Sequence, residues 1–323
     1  MRMTRHWIIA HASTDDPAWQ AELPGLVLPG LQRWLAAARV TLEGRIEPDA
    51  LSTPHEQALA RALGWPLHPD GAYPWAGWHA GRRDVACAWL LPCHWQISLD
   101  HIVLLPPQTL QLSATHAAAL RSSWAALAEA EGLTLTDGGA PWRWLASGAL
   151  LEGWRSASLH RVAHRRLDPA WQPGSPHPEA RRLRRLLEEA AMLWHTHPVN
   201  EERTACGLPA INGLWVEGAG RWVGDGPAAD AAAVMPVDAL SEAVLRGDLA
   251  AWRATWQRLD AEVLTPALQA AQADQQPRWL TLCGERGWRT WCLDPATAAP
   301  PPRRWWPWRR TAAPTPTAWW LGL

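Results

Sequence analysis

The sequence predicts a layered α/β fold, in which helices pack on a sheet. Two apolar runs near the ends of the chain, His6–His11 and Trp279–Cys283, are predicted to be buried strands. Segments with strand and helix patterns alternate between them, which is typical of α/β layers. With 323 residues, 48% of them hydrophobic, the chain is large enough to bury a sizeable core. These patterns leave the order of the strands open.

The predicted elements follow one another along the chain. Further strands are predicted over Val85–Ile97, His101–Leu105, Leu133–Thr136, Trp142–Ala146 and Ile211–Glu217. Helices are predicted over Pro29–Arg39, Pro54–Leu63, Ser113–Glu131, Pro178–His195 and Asp248–Ala273. Ser113 is a residue type that caps helix N-termini, and Gly132 is placed to end the same helix. Loops are expected over Gly64–Gly81 and Gly218–Ala233.

The chain is predicted to consist of a folded part and a tail. Residues 1–294 are expected to form a single α/β domain, either continuous or built from the N- and C-terminal parts with an inserted subdomain between them. The prolines and glycine of residues 168–179 predict an internal linker. Residues 295–323 form a tail rich in Pro, Arg and Trp.

The composition indicates codon usage more than function. All 30 basic residues are Arg, Lys and Phe are absent, and Trp occurs 26 times, which together suggest a GC-rich genome. With a net charge of −1, the protein is not expected to bind a nucleic acid specifically. Five cysteines without a Cys-x-x-Cys pair favour free thiols in a cytoplasmic protein. Neither a secretory signal nor an apolar run of membrane-spanning length is recognisable.

The segment His195–Gly220 is the most unusual part of the chain. It contains both Asn residues of the protein, Asn200 and Asn212, although Asn is otherwise lacking. An amide donates and accepts hydrogen bonds, and the planar guanidinium of Arg203 suits phosphate or carboxylate. Two interpretations stay open: the two amides contact a ligand, or they anchor the backbone around the start of a helix.

The same segment resembles the archaeal-type, metal-dependent, cofactor-independent phosphoglycerate mutases. In that family a His-Pro-x-Asn-x-x-Arg run precedes a Gly, then Pro-Ala-x-Asn, then an apolar strand that ends in Gly-x-Gly. The matching residues here are His197, Pro198, Asn200, Arg203, Gly207, Pro209, Ala210, Asn212, Gly218 and Gly220. The resemblance implies an alkaline-phosphatase-like layered sheet with helices on both faces. It also implies two divalent metals, held by Asp and His beside a nucleophilic Ser.

Over its whole length the chain is similar to an uncharacterised proteobacterial family, labelled phosphoglycerate-mutase-like or regulatory proteins of the Rpf type. The residues that carry this likeness are Thr53–Glu56, Ala58–Arg61, Pro92–Trp95, Asp100-His101, Ser156–Val162 and the segment above. This resemblance implies a bacterial regulatory protein.

The chain departs from the mutases where the metals would be bound. Their first strand ends in Asp-Gly-x-x-Asp, whereas His11–Asp15 reads His-Ala-Ser-Thr-Asp here. Their last core strand ends in Asp-His, whereas this one ends in Gly284-Glu285. The stretch Leu240–Arg246, which corresponds to a further Asp and His pair, contains no His. We therefore expect a catalytically degenerate protein without a cofactor. It would sense a phosphorylated metabolite through His197, Asn200, Arg203 and Asn212, and Glu285 and Arg286 are further candidates for ligand binding.

An active mutase or phosphatase is the alternative. It would hold Mn or Zn with substituted ligands, for which His94, Asp100, His101 and Glu285 are the candidates. Because ligands bind at the carboxyl ends of strands in open α/β folds, Glu285, Arg286 and Ser13 are expected to share one crevice. A helix cap or an ion pair is the competing interpretation for Glu285 and Arg286.

The tail gives a third hypothesis. Residues 300–310 read PPPRRWWPWRR, and Trp319-Trp320 follow. Arg and Trp together suit a protein partner or an anionic membrane, with Arg303–Arg310 as the contact. The competing interpretation is that the Trp side chains pack the tail onto the folded part.

Overall fold

The computed structural model describes residues 5–66, 71–168, 171, 178–223, 233–296 and 319–323. The strands are β1 (Arg5–Ile9), β2 (Arg39–Arg45), β3 (Cys87–Ile97), β4 (Ile102–Leu105), β5 (Thr134–Ala140), β6 (Arg143–Ser147), β7 (Gly213–Gly220), β8 (Val234–Val237), β9 (Arg278–Cys283) and β10 (Gly287–Leu293). The helices are α1 (Pro17–Glu22), α2 (Pro29–Ala37), α3 (Pro54–Ala62), α4 (Trp75–His79), α5 (Ala114–Ala130), α6 (Leu159–Val162), α7 (Pro178–His195), α8 (Pro198–Ala205), α9 (Ser241–Arg246), α10 (Leu249–Leu259) and α11 (Thr265–Asp274).

The chain divides into two compact units, and each has its own sheet and core. Unit 1 comprises Met1–Pro48, Pro54–Pro66 and Gly226–Leu323, so it is built from both ends of the sequence. Unit 2 comprises Asp49–Thr53 and Leu67–Asp225. Among the described residues, no helix combines the length and the apolar character that crossing a membrane requires.

The sheet of unit 1 has the strand order β2-β10-β9-β1-β8. The central strand β1 runs parallel to both β8 and β9, while β10 and β2 are antiparallel. Trp7 and Ile9 of β1 point into a core that also contains the buried residues of α2, α10 and α11. Helix α3 contacts β1 and β9 with side chains outside that core, so helices cover both faces of the sheet.

The predicted α/β class is confirmed, and this mixed sheet with helices on both faces is consistent with the alkaline-phosphatase-like fold that the resemblance implies.

A buried carboxylate fixes the start of α2 in unit 1. Asp260 lies in a π-helical stretch between α10 and α11, and its side chain is 3% exposed. It accepts hydrogen bonds from the backbone N–H groups of Gly30 at 2.9 Å and Leu31 at 2.6 Å. Asp260 therefore satisfies two donors of the first turn of α2, which no residue of that helix can satisfy.

The sheet of unit 2 is antiparallel, with the order β4-β3-β6-β5 and with β7 paired to β3. Helices α5 and α7 pack in its core through indole side chains. Trp124 of α5 donates to the carbonyl of Leu186 at 3.0 Å, and Trp194 of α7 donates to that of Leu120 at 3.2 Å. The two helices thus exchange hydrogen bonds inside an apolar core.

Several element predictions needed correction. Ser113 caps α5 as predicted, accepting from the N–H of His116. The single helix predicted over Asp248–Ala273 is three consecutive helical stretches. Strands β2, β8 and β10 were not predicted, and the loop expected over Gly64–Gly81 contains α4. Edge strand β2 is largely exposed and therefore lacks an apolar pattern.

Candidate functional site

The carboxyl ends of β8, β1 and β9 lie at one edge of the unit 1 sheet, because these strands are parallel. The loops that follow them are joined there by backbone hydrogen bonds. The N–H of Ala10 donates to Val237 O at 3.1 Å, and that of Ala12 donates to Cys283 O at 2.7 Å. Open α/β folds bind their ligands at such an edge. We name the side chains gathered here the strand-end site: His11, Ser13, Thr14, Asp15, Ser241, Glu285 and Arg286.

His11 is the most constrained residue of the strand-end site. Its φ of 53° lies in the left-handed region, which a residue with a bulky side chain seldom adopts. The ring is buried, its Nδ1 lies 3.0 Å from the hydroxyl of Ser241, and its centroid lies 5.2 Å from that of His55. The indole of Trp252 donates to the His11 carbonyl at 3.0 Å. The loop is therefore held in this unusual conformation from two sides.

The charged members of the strand-end site bind one another. Glu285 accepts from the N–H of Asp15 at 3.1 Å, and Arg286 donates to the Asp15 carboxylate at 2.6 Å. The structure thus brings Glu285 and Arg286 to the loop that carries Ser13, where the sequence predicted a crevice. Both acids are engaged by groups of the chain itself.

Two hydroxyls are buried beside these charges. Ser13 is 4% exposed, and its hydroxyl lies 2.5 Å from the point where a side chain on Gly284 would begin. Thr14 is 5% exposed, and its hydroxyl has no hydrogen-bond partner within the described part of the chain. At the end of β9, burial and the Asp238 carboxylate raise the pKa of the Cys283 thiol well above its usual range. Cys283 is therefore a neutral thiol and no nucleophile.

The residues of the strand-end site do not fit a two-metal centre. The Asp15 carboxylate pairs with Arg286, Glu285 accepts from the backbone, and His11 bonds Ser241. Within the residues described, no three His, Cys, Asp or Glu side chains form a group that could hold a metal ion. Hard divalent cations require several free oxygen or imidazole ligands converging on one point.

The other metal candidates lie in the β3–β4 hairpin of unit 2. Nδ1 of His94 lies 2.7 Å from the carbonyl of Ala210, while His101 pairs with Asp100 at 2.7 Å. His94 is opposite Leu105 in the ladder, whereas the turn that carries Asp100 and His101 begins beyond the Ile97 pair. The hairpin therefore separates His94 from the other two side chains.

In unit 2, the residues of the predicted ligand segment bind the backbone. His197 caps α8 and accepts from the N–H of Val199. Asn200 donates to the carbonyls of Trp194 and Ile211, both at 2.8 Å, and accepts from the N–H of Ile211 at 2.7 Å.

Asn212 and Arg203 act in the same way. Asn212 accepts from the N–H of Trp95 and donates to its carbonyl, at 2.7 and 3.0 Å. Arg203 is 1% exposed and donates to the carbonyls of Pro209 at 3.0 Å and Leu110 at 2.6 Å. Its burial lowers the pKa of the guanidinium, and its Nη1 has no partner among the described residues. These contacts favour backbone anchoring, and the ligand role of this segment stays a prediction.

Sequence reasoning missed His11, His55 and Ser241 as members or neighbours of this edge. His11 follows β1 directly, so the rule that selected Ser13 applied to it as well. Its partner Ser241 lies 230 residues further along the chain, and no local pattern links the two. The predicted Arg303–Arg310 contact surface lies entirely outside the described residues.

Comparisons with known proteins bear on the fold. No protein-family model matches the chain, and no similar sequence is found among curated proteins. A cofactor-independent phosphoglycerate mutase from Thermoplasma acidophilum is similar over 90% of this chain and 89% of its own, at 16% identity and a TM-score of 0.35. The PH0037 protein from Pyrococcus horikoshii is similar over 91% of this chain and 88% of its own, at 11% identity and a TM-score of 0.50. The likeness to the PH0037 protein shows a shared fold.

Proposed function

We propose that this protein is a catalytically degenerate relative of the cofactor-independent phosphoglycerate mutases, and that it acts as a regulatory protein by binding a phosphorylated metabolite. One observation carries the proposal. Glu285 accepts from the Asp15 N–H and Arg286 donates to the Asp15 carboxylate, at the strand ends where the sequence resemblance implies metal ligands. The Arg286 guanidinium therefore occupies the Asp15 carboxylate where a metal ion would need it, and its planar donors can also bind the oxygens of a phosphate group.

The remaining side chains of the strand-end site suit a phosphate group. The hydroxyls of Ser13, Thr14 and Ser241 are donors, and the Arg286 guanidinium adds a charge. Within the described residues the buried Thr14 hydroxyl has no hydrogen-bond partner, so it is available to donate to a phosphate oxygen.

The first experiment separates this proposal from the active enzyme. We expect less than one equivalent of metal in the purified protein, and no conversion of 3-phosphoglycerate to 2-phosphoglycerate with added Mn or Zn. Stoichiometric metal with turnover that Glu285→Gln or His101→Ala abolishes would establish the enzyme instead. His195→Gln is a matched control, because His195 is an exposed residue at the end of α7.

The second experiment tests binding directly. We expect 3-phosphoglycerate at saturating concentration to raise the melting temperature by about 3 °C, and glycerate to have no effect. Thr14→Val should remove the response, because it deletes the hydroxyl and keeps the shape. Arg203→Lys should keep it. Loss of the response in Arg203→Lys alone would assign the ligand to the unit 2 segment.

Besides ligand binding, we propose that the tail contacts a protein or an anionic membrane. The sequence of residues 303–310, in which two Arg pairs flank three Trp, supports it. We would compare flotation with vesicles containing phosphatidylserine between the natural chain and a variant in which Arg303, Arg304, Arg309 and Arg310 are changed to Gln. Equal flotation of the two proteins would exclude an anionic membrane as the binding partner of these Arg residues.

A further inference from the structure

We propose that residues Trp319–Leu323, named here the 319–323 cap, close the strand-end site, so that a phosphorylated ligand enters only when the cap is displaced. The inference rests on the proposed function and adds a regulation of the same site. All residues concerned belong to unit 1.

The first residue of the cap is tied to the loop that follows β1. Trp319 is 6% exposed, and its ring lies 5.6 Å from that of Trp256 in an edge-to-face arrangement. The indole of Trp256 in turn donates to the carbonyl of Ala12 at 3.2 Å. Trp256 therefore contacts both the cap and the residue between His11 and Ser13.

The last residue of the cap lies on the end of β9. A side-chain carbon on Gly284 would lie 2.6 Å from the carbonyl carbon of Leu323 and 2.5 Å from the hydroxyl of Ser13. The Leu323 backbone and the Ser13 hydroxyl are therefore within about 5 Å of each other. Gly287 repeats this close approach, since a carbon there would lie 3.1 Å from the carbonyl oxygen of Gly322. Glycine at both positions leaves the space that the cap occupies.

Side chains, rather than a ladder, hold the cap in place. In the described part of the chain, its main-chain hydrogen bond runs inside the cap, from Leu323 N–H to Trp320 O at 3.3 Å. Trp319 and Leu323 are buried, whereas Leu321 is 66% exposed. The cap can thus leave without breaking the sheet. A ligand that binds only the open form has an apparent affinity equal to its intrinsic affinity multiplied by the fraction of open molecules.

Thiol labelling tests the closure without any ligand. Ser13→Cys places a thiol under the cap, and Cys206→Ser removes the exposed native thiol. We would measure modification of position 13 by N-ethylmaleimide with mass spectrometry. A chain that ends at Ala318 should be labelled at least tenfold faster than the full chain. Leu321→Ala, which changes an exposed cap residue, should leave the rate unchanged.

Equal labelling rates in the shortened and full chains would overturn the proposal. If the shortened chain does not fold, as judged by circular dichroism, Trp319→Ala in the full chain replaces it. That substitution removes the contact with Trp256 and keeps every residue of the backbone. It too should accelerate labelling, and an unchanged rate would count against the cap in the same way.

Calorimetric titration with 3-phosphoglycerate then separates the two proposals. Both chains keep Ser13 in this experiment. At least tenfold tighter binding to the chain that ends at Ala318 supports the cap and the ligand together. Equal affinity for both chains overturns the cap as a regulator. Faster labelling without binding to either chain supports closure of the site and contradicts the phosphorylated ligand.

Discussion

Asp260 is a single residue on which the start of an element depends. Its buried carboxylate accepts from the N–H groups of Gly30 and Leu31. We expect Asp260→Ala to lower the free energy of unfolding by about 3 kcal/mol, because two buried donors lose a charged acceptor. Asp260→Asn should cost about half as much, since one oxygen remains. Urea denaturation followed by circular dichroism measures both changes.

Asp248 provides the control for that prediction. It caps α10 by accepting from the N–H of Ala251 at 2.9 Å, but at an exposed position. Asp248→Ala should therefore cost only about 1 kcal/mol. Equal losses for Asp248→Ala and Asp260→Ala would show that burial of the Asp260 carboxylate adds nothing.

His6 makes the stability of unit 1 depend on pH. Burial lowers the pKa of His6 to about 4, and its Nε2 lies 2.7 Å from the hydroxyl of Thr281. The unfolded chain has the ordinary value of about 6.5, so it binds more protons than the folded chain between these values. The contribution of His6 to the free energy of unfolding is therefore fully present above about pH 6.5. It decreases by about 2–3 kcal/mol as the pH falls towards 4.

His6→Gln should remove this contribution, because Gln keeps a polar group near Thr281 and does not titrate. Urea midpoints between pH 4 and 7 should fall less steeply in His6→Gln than in the natural chain. His195→Gln, at an exposed position, should follow the natural profile. Parallel profiles for all three proteins would assign the pH dependence to other groups.

At the scale of elements, the sequence predicted those with a one-sided or continuous apolar pattern. Strands β1, β3 and β9 and helices α5 and α7 meet that condition, and all five were found. Strand β8 is short and contains Pro236, so no run of strand-forming residues marks it. The π-helical stretch inside the long helix carries Asp260, whose contact with Gly30 joins distant parts of the chain, and no local pattern marks it.

Of the candidate site too, the sequence predicted those residues that a local pattern or rule selects. The rule that ligands bind at the carboxyl ends of strands selected Ser13, Glu285 and Arg286, and the structure brings them together. The rarity of Asn selected a segment whose amides organise unit 2. The contacts of His11 with Ser241 and of Leu323 with Gly284 join remote positions, which a single sequence cannot pair.

Asn200 holds helix α8 to the segment that leads into β7. We expect Asn200→Ala to lower the free energy of unfolding by about 3 kcal/mol, because three buried hydrogen bonds to Trp194 and Ile211 are lost. Asn212→Ala, with two bonds at a half-buried position, should cost about 1–2 kcal/mol. Unchanged stability of Asn200→Ala with lost 3-phosphoglycerate binding would restore the ligand interpretation.

At the scale of the whole molecule, tryptophan replaces phenylalanine and also supplies donors. Seven Trp side chains are among the largest fully buried groups of the described residues. Six of the seven donate their indole N–H to a backbone carbonyl, as Trp252 does at His11 and Trp215 does at Ala157. Phe would fill the same space but could not fix these loops. The high Trp content is thus part of how both cores are organised.

Each unit has a core of its own, so the contiguous part of unit 2 should fold by itself. We expect a fragment of residues 67–225 to show helical circular dichroism and a cooperative thermal transition. It should be less stable than the natural chain, because it lacks the contact of Ser158 N–H with Leu51 O at 2.8 Å. A fragment of residues 67–205 loses β7, which pairs with β3 and supplies Leu214 and Val216 to the core. That shorter fragment should not fold, and an unfolded longer fragment would show that the core of unit 2 is not self-sufficient.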